Sequence, residues 1–354
     1  MSEANGGAGE PATMSDGLPA RVVDHLDVEG LPSAAITRLR LELVHDGLGR
    51  PVRLPIMVAR GKKPGPVFGI TAAVHGNELN GIPVIHRLFQ RLDLTQLRGA
   101  VVAVVVVNIP GMLGHRRSIG DGLDLNRIMP GRPDGNVGEV YAYRLLDRVV
   151  RHFEYLVDLH TASQGRVNSL YVRADMLDSA TAQMAVLQRP QIIVHNRASD
   201  GTLRGAAGEL GIPAITVEIG NPNRFQPEYV KGSLAGLRAV LAEAGMVPRR
   251  PLHIKDKPIV CKRSYWIYAD AGGLLDVLPD VTHRVAVGEV IARQTNIFGD
   301  VIREYRAPEA GVVVGRSVDP VASSGSRILH LGIERTFSAD LGLVTETPEG
   351  GAQE

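Results

Sequence analysis

The feature that most constrains this chain is an alternation. Between Pro66 and about Glu243, short apolar runs are separated by longer amphipathic stretches. The runs are VFGITAAV (67–74), AVVAVVVV (100–107), YLVDL (155–159), SLYVR (169–173), IIV (192–194) and AITVEI (214–219). They are rich in valine and isoleucine and nearly continuous, the pattern of strands covered on both faces. The stretches between them, 80–91, 138–152, 178–188, 203–210 and 229–244, read as helices. Such alternation implies an α/β sheet with helices on both sides. Ahead of it, ITRLRLELV and PVRLPIMV within 35–58 alternate polar and apolar residues and predict a β-hairpin added at one edge.

The texture changes after VPRRPLHIKDKP (247–258), where proline and basic residues cluster. Short strand-like runs then follow between Gly and Asp turns, with no helical pattern. The expected organisation is therefore a mostly disordered leader over 1–34, a catalytic α/β domain with its hairpin over 35–246, an all-β domain over 257–345, and a disordered tail over 346–354. The segment GGLLDVLPDVTHRVAVGEVIARQTNIFGDVIREYRAPEAGVVVG also resembles half of a lipoyl/biotinyl-type fold. No lysine follows Lys262, which excludes a swinging-arm carrier.

Charge removes further classes. Lys+Arg is 39 against Asp+Glu at 38, so no field favours nucleic acid or an anionic membrane. The longest strongly apolar run, Ala100–Val107, is far shorter than the roughly 20 residues needed to span a bilayer. The N-terminal segment has neither the basic flank nor the apolar core of a signal peptide. Cys261 is the sole cysteine, which excludes an intrachain disulfide and suggests a cytoplasmic setting.

Four polar clusters follow strand candidates, where open α/β sheets place their ligands. His75-Gly76-Asn77-Glu78 sets a His and a carboxylate three residues apart at a strand-to-helix turn, and His160 ends Asp158-Leu159-His160. Two histidines and a glutamate are the protein half of a catalytic zinc site that keeps a position open for water. Glu218, in TVEIGNP, is either the general base beside such a site or a buried acid neutralised by an arginine. The fourth cluster, Asp124-Leu125-Asn126-Arg127, follows the pair Arg116-Arg117. An Asn–Arg pair suits a substrate carboxylate, a further arginine suits an oxyanion, and Asp124 suits the outer nitrogen of His75.

HGNE (75–78), DLNR (124–127), DLH (158–160) and VEIG (217–220), in that order, resemble the succinylglutamate desuccinylase/aspartoacylase family over about 65–245. The resemblance implies a zinc carboxypeptidase-like fold with a mixed, mostly parallel sheet. It implies one Zn2+ per chain on His75, Glu78 and His160, with Glu218 as base and proton shuttle. Asn126 and Arg127 would hold the substrate carboxylate and Asp124 would orient His75. The arginine that polarises the carbonyl falls on Arg116 or Arg117, and the expectation places it on Arg116 and gives Arg117 to substrate binding. Arg166, in the loop after His160, is a further substrate-binding candidate, with His115 beside the arginine pair and His195 after a strand as lesser ones, whereas His86 and His152 read as packed or solvated.

The expected reaction is hydrolysis of the amide in a small anionic N-acylated amino acid or related amine. A carboxypeptidase-like peptidase or an esterase would use the same site, and a non-catalytic binding protein could keep the fold. A peptidase acting on exported material would need an export signal. A decayed enzyme would have lost a ligand or the base, yet each of those positions is filled. The C-terminal domain is expected to wall the mouth of the site or to serve a homo-oligomer.

Overall fold

The computed structural model describes residues 20–120, 122–198, 201–249 and 257–335. The expected tail at 346–354, most of the leader and most of the linker lie outside these residues.

All six apolar runs become adjacent strands of one large sheet. Its centre runs Arg98–Val104, Lys63–Ala72, Tyr155–His160, Ala214–Ile219, Leu170–Ala174 and Ile192–His195. The first four are mutually parallel, Leu170–Ala174 is antiparallel to Ala214–Ile219, and Ile192–His195 is parallel to Leu170–Ala174. The sheet is mixed and mostly parallel. The hairpin Ala35–His45/Pro51–Arg60 joins antiparallel to Arg98–Val104, and Arg21–Val23 adds a short strand outside it. The apolar run at 100–107 outlasts its strand, because Val107 and Asn108 turn back to donate N–H bonds to Ala72 and Ala73.

Helices cover both faces. Gly81–Phe89, Ser179–Leu187 and Pro227–Glu243 bury Val84, Leu88, Ala182, Val230 and Leu237 in one core. Val137–Arg148 and Leu203–Glu209 bury Tyr141, Leu145, Leu203 and Ala206 in the other. Local chemistry sets their starts: Asn136 and Glu139 form a reciprocal capping box, Asp178 accepts from Thr181 N–H, and Thr202 from Gly205 N–H.

Among the described residues the C-terminal part is all-β, as its sequence predicts. Some of its strands also extend the large sheet. Ile259–Tyr268 pairs in parallel with Ile192–His195, and Arg327–Glu334 and Gly311–Ser317 follow in the same sheet, making it 14-stranded among the described residues. Only the second sheet, Val301–Arg306, Val290–Thr295, Gly273–Val277 and Val321–Ala322, is separate. A short strand missed in the sequence, Arg166–Asn168, leaves the loop after His160 and pairs with Gly311–Ser317. No described helix is long and apolar enough to cross a membrane.

Candidate metal centre

The carboxyl ends of Lys63–Ala72, Tyr155–His160 and Ala214–Ile219 open on a cavity of about 640 Å³. Beyond the first of these strands the chain turns sharply. Ala73 takes a left-handed φ of 53°, a conformation that costs a residue with a Cβ roughly 1–2 kcal/mol. Asn108 pins this turn: its amide donates to Val74 O and Arg117 O, and its Oδ1 accepts from Gly111 N–H. Gly76 then passes so close to the short helix Ile109–Leu113 that a Cβ would sit 2.0 Å from the Gly111 carbonyl carbon. The sequence motif thus needs its glycine for close approach.

The turn delivers His75 and Glu78 to His160, and all three are buried. One ligating atom of each lies within 4.8 Å of the others. His75 Nδ1 is 3.0 Å from Glu78 Oε1, His160 Nδ1 is 2.9 Å from Glu78 Oε2, and the two Nδ1 atoms face each other at 3.2 Å. The outer nitrogens are spoken for by carboxylates, His75 Nε2 by Asp124 at 3.1 Å and His160 Nε2 by Asp158 at 2.6 Å. A neutral imidazole donates from one nitrogen only. With both donors turned outward, two Nδ1 lone pairs and a carboxylate converge on one buried point. That donor set fits a divalent cation, and the His–carboxylate pairs behind it fit the usual support of a metal-binding histidine.

The carboxylates and histidines of the cluster also act on one another's charge. Burial alone would raise the pKa of Glu78, but His75 and His160 hold it well below the usual carboxylate range. Burial opposes charge on His160, yet Asp158 and Glu78 hold its pKa well above the ordinary value. Asp124 is partly buried, but His75 and Arg117 keep its pKa low. Glu218 differs: burial pushes its pKa up, against the opposing charge of Arg173. It stands beside His160 on the neighbouring strand, accepts from Asn168 Nδ2 at 3.2 Å, and lies 3.6 Å from Arg173 Nε.

The arginine pair resolves into two directions. Arg117 lies between Asp124 Oδ2, at 2.9 and 3.0 Å, and Glu78 Oε1, at 3.1 Å, and also donates to Ser163. Arg116, the expected polarising residue, is exposed, donates to Gly120 O and is not among the cavity's lining residues. The difference in placement is physical, since Asn108 holds the Arg117 carbonyl and two carboxylates attract that guanidinium, leaving its neighbour turned away. Asn126 and Arg127 line the cavity on a 3₁₀ turn capped by Asp124, and Asn126 Oδ1 accepts from Leu203 N–H. Arg166 lines it too, as does His195, whose Nδ1 accepts from Met176 N–H. His115 does not.

Four contributors escaped the sequence reading. Asp158 lies two residues before His160 on one strand, and that spacing alone puts both on one face. Asn108 and Asn168 carried no such signal. The last is the pair Trp266 and His330 within the C-terminal wall, which the sequence reading expected as one of two roles without naming residues: directly opposite in the strand register, they stack with ring centroids 5.0 Å apart.

Comparison with known proteins agrees with this arrangement. The model of the Succinylglutamate desuccinylase/Aspartoacylase catalytic domain matches residues 64–244, just over half of the chain. The N-alpha-acetyl-L-2,4-diaminobutyric acid deacetylase of Halomonas elongata is 27% identical over 292 residues, 78% of this chain and 84% of that protein. A succinylglutamate desuccinylase of Pseudomonas paraeruginosa is 26% identical over 170 residues, 44% of this chain and 51% of that one. The product-bound ectoine utilization protein EutE (DoeB) of Ruegeria pomeroyi superposes with a TM-score of 0.78 at 24% identity, covering 86% of this chain and 98% of that chain. At that identity the likeness speaks for the fold.

Proposed function

Because the chain belongs to the succinylglutamate desuccinylase/aspartoacylase family, we propose that it is a zinc-dependent deacylase cleaving the amide bond of a small N-acylated amino acid or related amine. One observation carries this reading: the buried convergence of His75, Glu78 and His160, braced by Asp124 and Asp158, with Glu218 beside it. The names of relatives that share the fold, a deacetylase and a desuccinylase, support the same reaction class.

A zinc ion held by those three side chains supplies a Lewis acid and lowers the pKa of water toward about 7. The rest is the work of the chain. Glu218, whose burial raises its proton affinity, takes the proton of the attacking water and returns it to the departing amine. Arg117, fixed by Asp124 and Glu78, offers its one remaining N–H to the oxygen that gains charge as the acyl carbon becomes tetrahedral. Asn126 and Arg127 grip the substrate carboxylate, which sets the acyl carbon against Glu218. The cavity's excess of arginine over carboxylate favours an anionic substrate. The single unpaired cysteine suits a cytoplasmic setting.

The test is amine release from N-acetyl-, N-succinyl- and N-formyl-amino acids by zinc-loaded and chelator-stripped protein. Release from at least one member that disappears on stripping and returns with zinc is the expected result. Release that ignores chelation removes the metal from the mechanism, and stoichiometric zinc without any release moves the reading to peptides or esters.

A further inference from the structure

The helices that follow the metal turn and the Glu218 strand begin with residues that do not cap them. Asn80 stands at the start of Gly81–Phe89, two residues after Glu78, and Gln226 at the start of Pro227–Glu243, after the turn that follows Glu218. An asparagine in such a place ordinarily accepts from a backbone N–H of its own first turn, which stabilises the helix. Neither Asn80 nor Gln226 makes a bond of that kind. The Asn80 backbone is helical (φ −62°, ψ −23°) where a capping residue is extended, so its amide is turned away from the helix it begins. Asn136, by contrast, has an extended backbone and caps its helix at Glu139 N–H.

The two side chains instead meet each other. Asn80 Oδ1 accepts from Gln226 N–H at 2.9 Å, and Asn80 Nδ2 donates to Gln226 Oε1 at 3.2 Å. Asn80 Nδ2 also donates to Ile219 O at 2.7 Å, the carbonyl of the residue directly after Glu218. Gln226 Oε1 accepts in addition from Asn221 N–H at 2.6 Å. The turn between is drawn tight: Gly220 has a left-handed φ of 68°, and a Cβ there would sit 2.4 Å from Gln226 Oε1. Backbone bonds close the frame, from Asn223 N–H to Asn77 O and from Ala162 N–H to Gly220 O. Asn80 is fully buried, so losing its partners would leave polar groups that water does not reach. The end of the Glu218 strand is thereby tied to the turn that carries His75 and Glu78 on one side and to the segment after His160 on the other.

We propose that Asn80 and Gln226 are positioning residues, a brace between two helix starts that holds Glu218 in register with the metal turn. Neither is among the cavity's lining residues. Both act through Ile219 and Asn221 on the strand end that carries the base. The catalytic consequence rests on the deacylase reading, whereas the brace itself is readable without turnover. Misplacing a reacting group by about 1 Å costs on the order of a hundredfold in rate, so loss of the brace belongs in kcat rather than in KM or zinc content. The bonds are also directional. Gln226 contributes only its side-chain oxygen and its backbone N–H, and a carboxylate oxygen accepts equally well, so Gln226→Glu keeps the brace. Asn80 needs its amide nitrogen, and Asn80→Asp sets a second oxygen against Ile219 O and Gln226 Oε1.

The experiment compares zinc-loaded Asn80→Ala, Asn80→Asp, Gln226→Ala and Gln226→Glu with the unaltered protein and with Asn136→Ala, which removes a helix cap away from the cavity. Turnover of the N-acyl amino acid panel is measured well below the Tm of each variant, zinc by metal analysis, and backbone exchange over 219–226 by hydrogen–deuterium mass spectrometry. Asn80→Ala, Asn80→Asp and Gln226→Ala should lose roughly 10- to 100-fold in kcat, keep KM within about threefold and retain full zinc. All three should exchange faster over 219–226. Gln226→Glu should hold kcat within about threefold of the unaltered protein and keep its exchange protection. Asn136→Ala should lower the Tm and leave kcat and the exchange over 219–226 as they were. Should the Asn80 variants fail to fold, the two changes at the half-buried Gln226 carry the test. Undiminished kcat in Gln226→Ala, an equal loss in Gln226→Glu, an equal loss in Asn136→Ala, or zinc lost from Gln226→Ala each overturns the brace. An unaltered protein that turns over no panel member sinks the deacylase reading, and exchange alone then judges the brace. Faster exchange in Gln226→Ala but not in Gln226→Glu upholds it, and equal exchange in the two overturns it.

Discussion

The two walls of the cavity are built on opposite principles. At the metal wall every charged group meets an opposite charge or a hydrogen-bond partner, from Asp124 through His75 and Glu78 to His160 and Asp158. At the Trp266 wall the indole stacks on His330, and the guanidinium carbons of Arg166 and Arg327 lie 5.6 and 5.4 Å from its centroid. At the first wall two Nδ1 atoms and a carboxylate converge on a point that fits a divalent cation. The second wall gathers its cations around an aromatic ring and faces the same cavity. On the proposed reading the first wall performs the chemistry and the second meets the substrate, so substitutions on the two walls should leave different kinetic marks.

The largest break of that contrast comes from the metal wall. His160→Ala should lose bound zinc and turnover together, whereas Glu218→Gln should keep zinc, measured by metal analysis, and lose about a thousandfold in kcat. Full zinc occupancy in His160→Ala would remove it from the ligand set. Next is Asp158→Asn, which leaves all three ligands in place but weakens the hold on the His160 ring. Zinc affinity, read by competition with a chelator, should fall roughly 10- to 100-fold, and an unchanged affinity would reduce Asp158 to packing. On the other wall, Trp266→Ala should raise KM about tenfold for an acidic substrate through lost cation–π support, with kcat and zinc content nearly unaltered. A fall in kcat of similar size would show that the walls are not separable. The smallest effect concerns Cys261, buried beneath the C-terminal strands, whose thiol is pushed up to about 12 by burial. Because the raised value favours the neutral thiol, thiolate is scarce until the pH approaches 12. Iodoacetamide at pH 8 should leave the native protein unmodified and fully active and should alkylate it promptly in denaturant.

The sequence makes the metal wall legible because each of its parts sits in a short motif at a strand end. Strand polarity then brings three such ends together, and the buried runs announce those strands by composition alone. Helices on both faces follow from the same alternation. What the sequence hides is whatever depends on register or on the direction of a single side chain. Arg116 and Arg117 are neighbours with the same chemistry, and only the anchor at Asn108 and the pull of Glu78 and Asp124 decide which enters. Trp266 and His330 are 64 residues apart and meet only because their strands pair in one register. The change of texture near residue 250 correctly marks the onset of all-β structure. It says nothing of hydrogen bonds that cross it, since an edge strand reads the same whether its partner is local or distant.

That crossing has a practical side for anyone who would cut the protein in two. Asn168, which donates to Glu218, lies in a strand backed by Gly315, where even a Cβ would come within 2.3 Å of the Asn168 side chain. A catalytic fragment ending before residue 257 would strip this backing from the base. It would also expose the open rim of Ile192–His195, an apolar strand whose N–H and C=O groups are otherwise taken by Ile259–Tyr268. Bare rims of that kind recruit other chains, so the fragment should be sticky as well as slow. Exchange of C-terminal parts between relatives meets the same obstacle: the graft succeeds only if the incoming strand seals that rim in register.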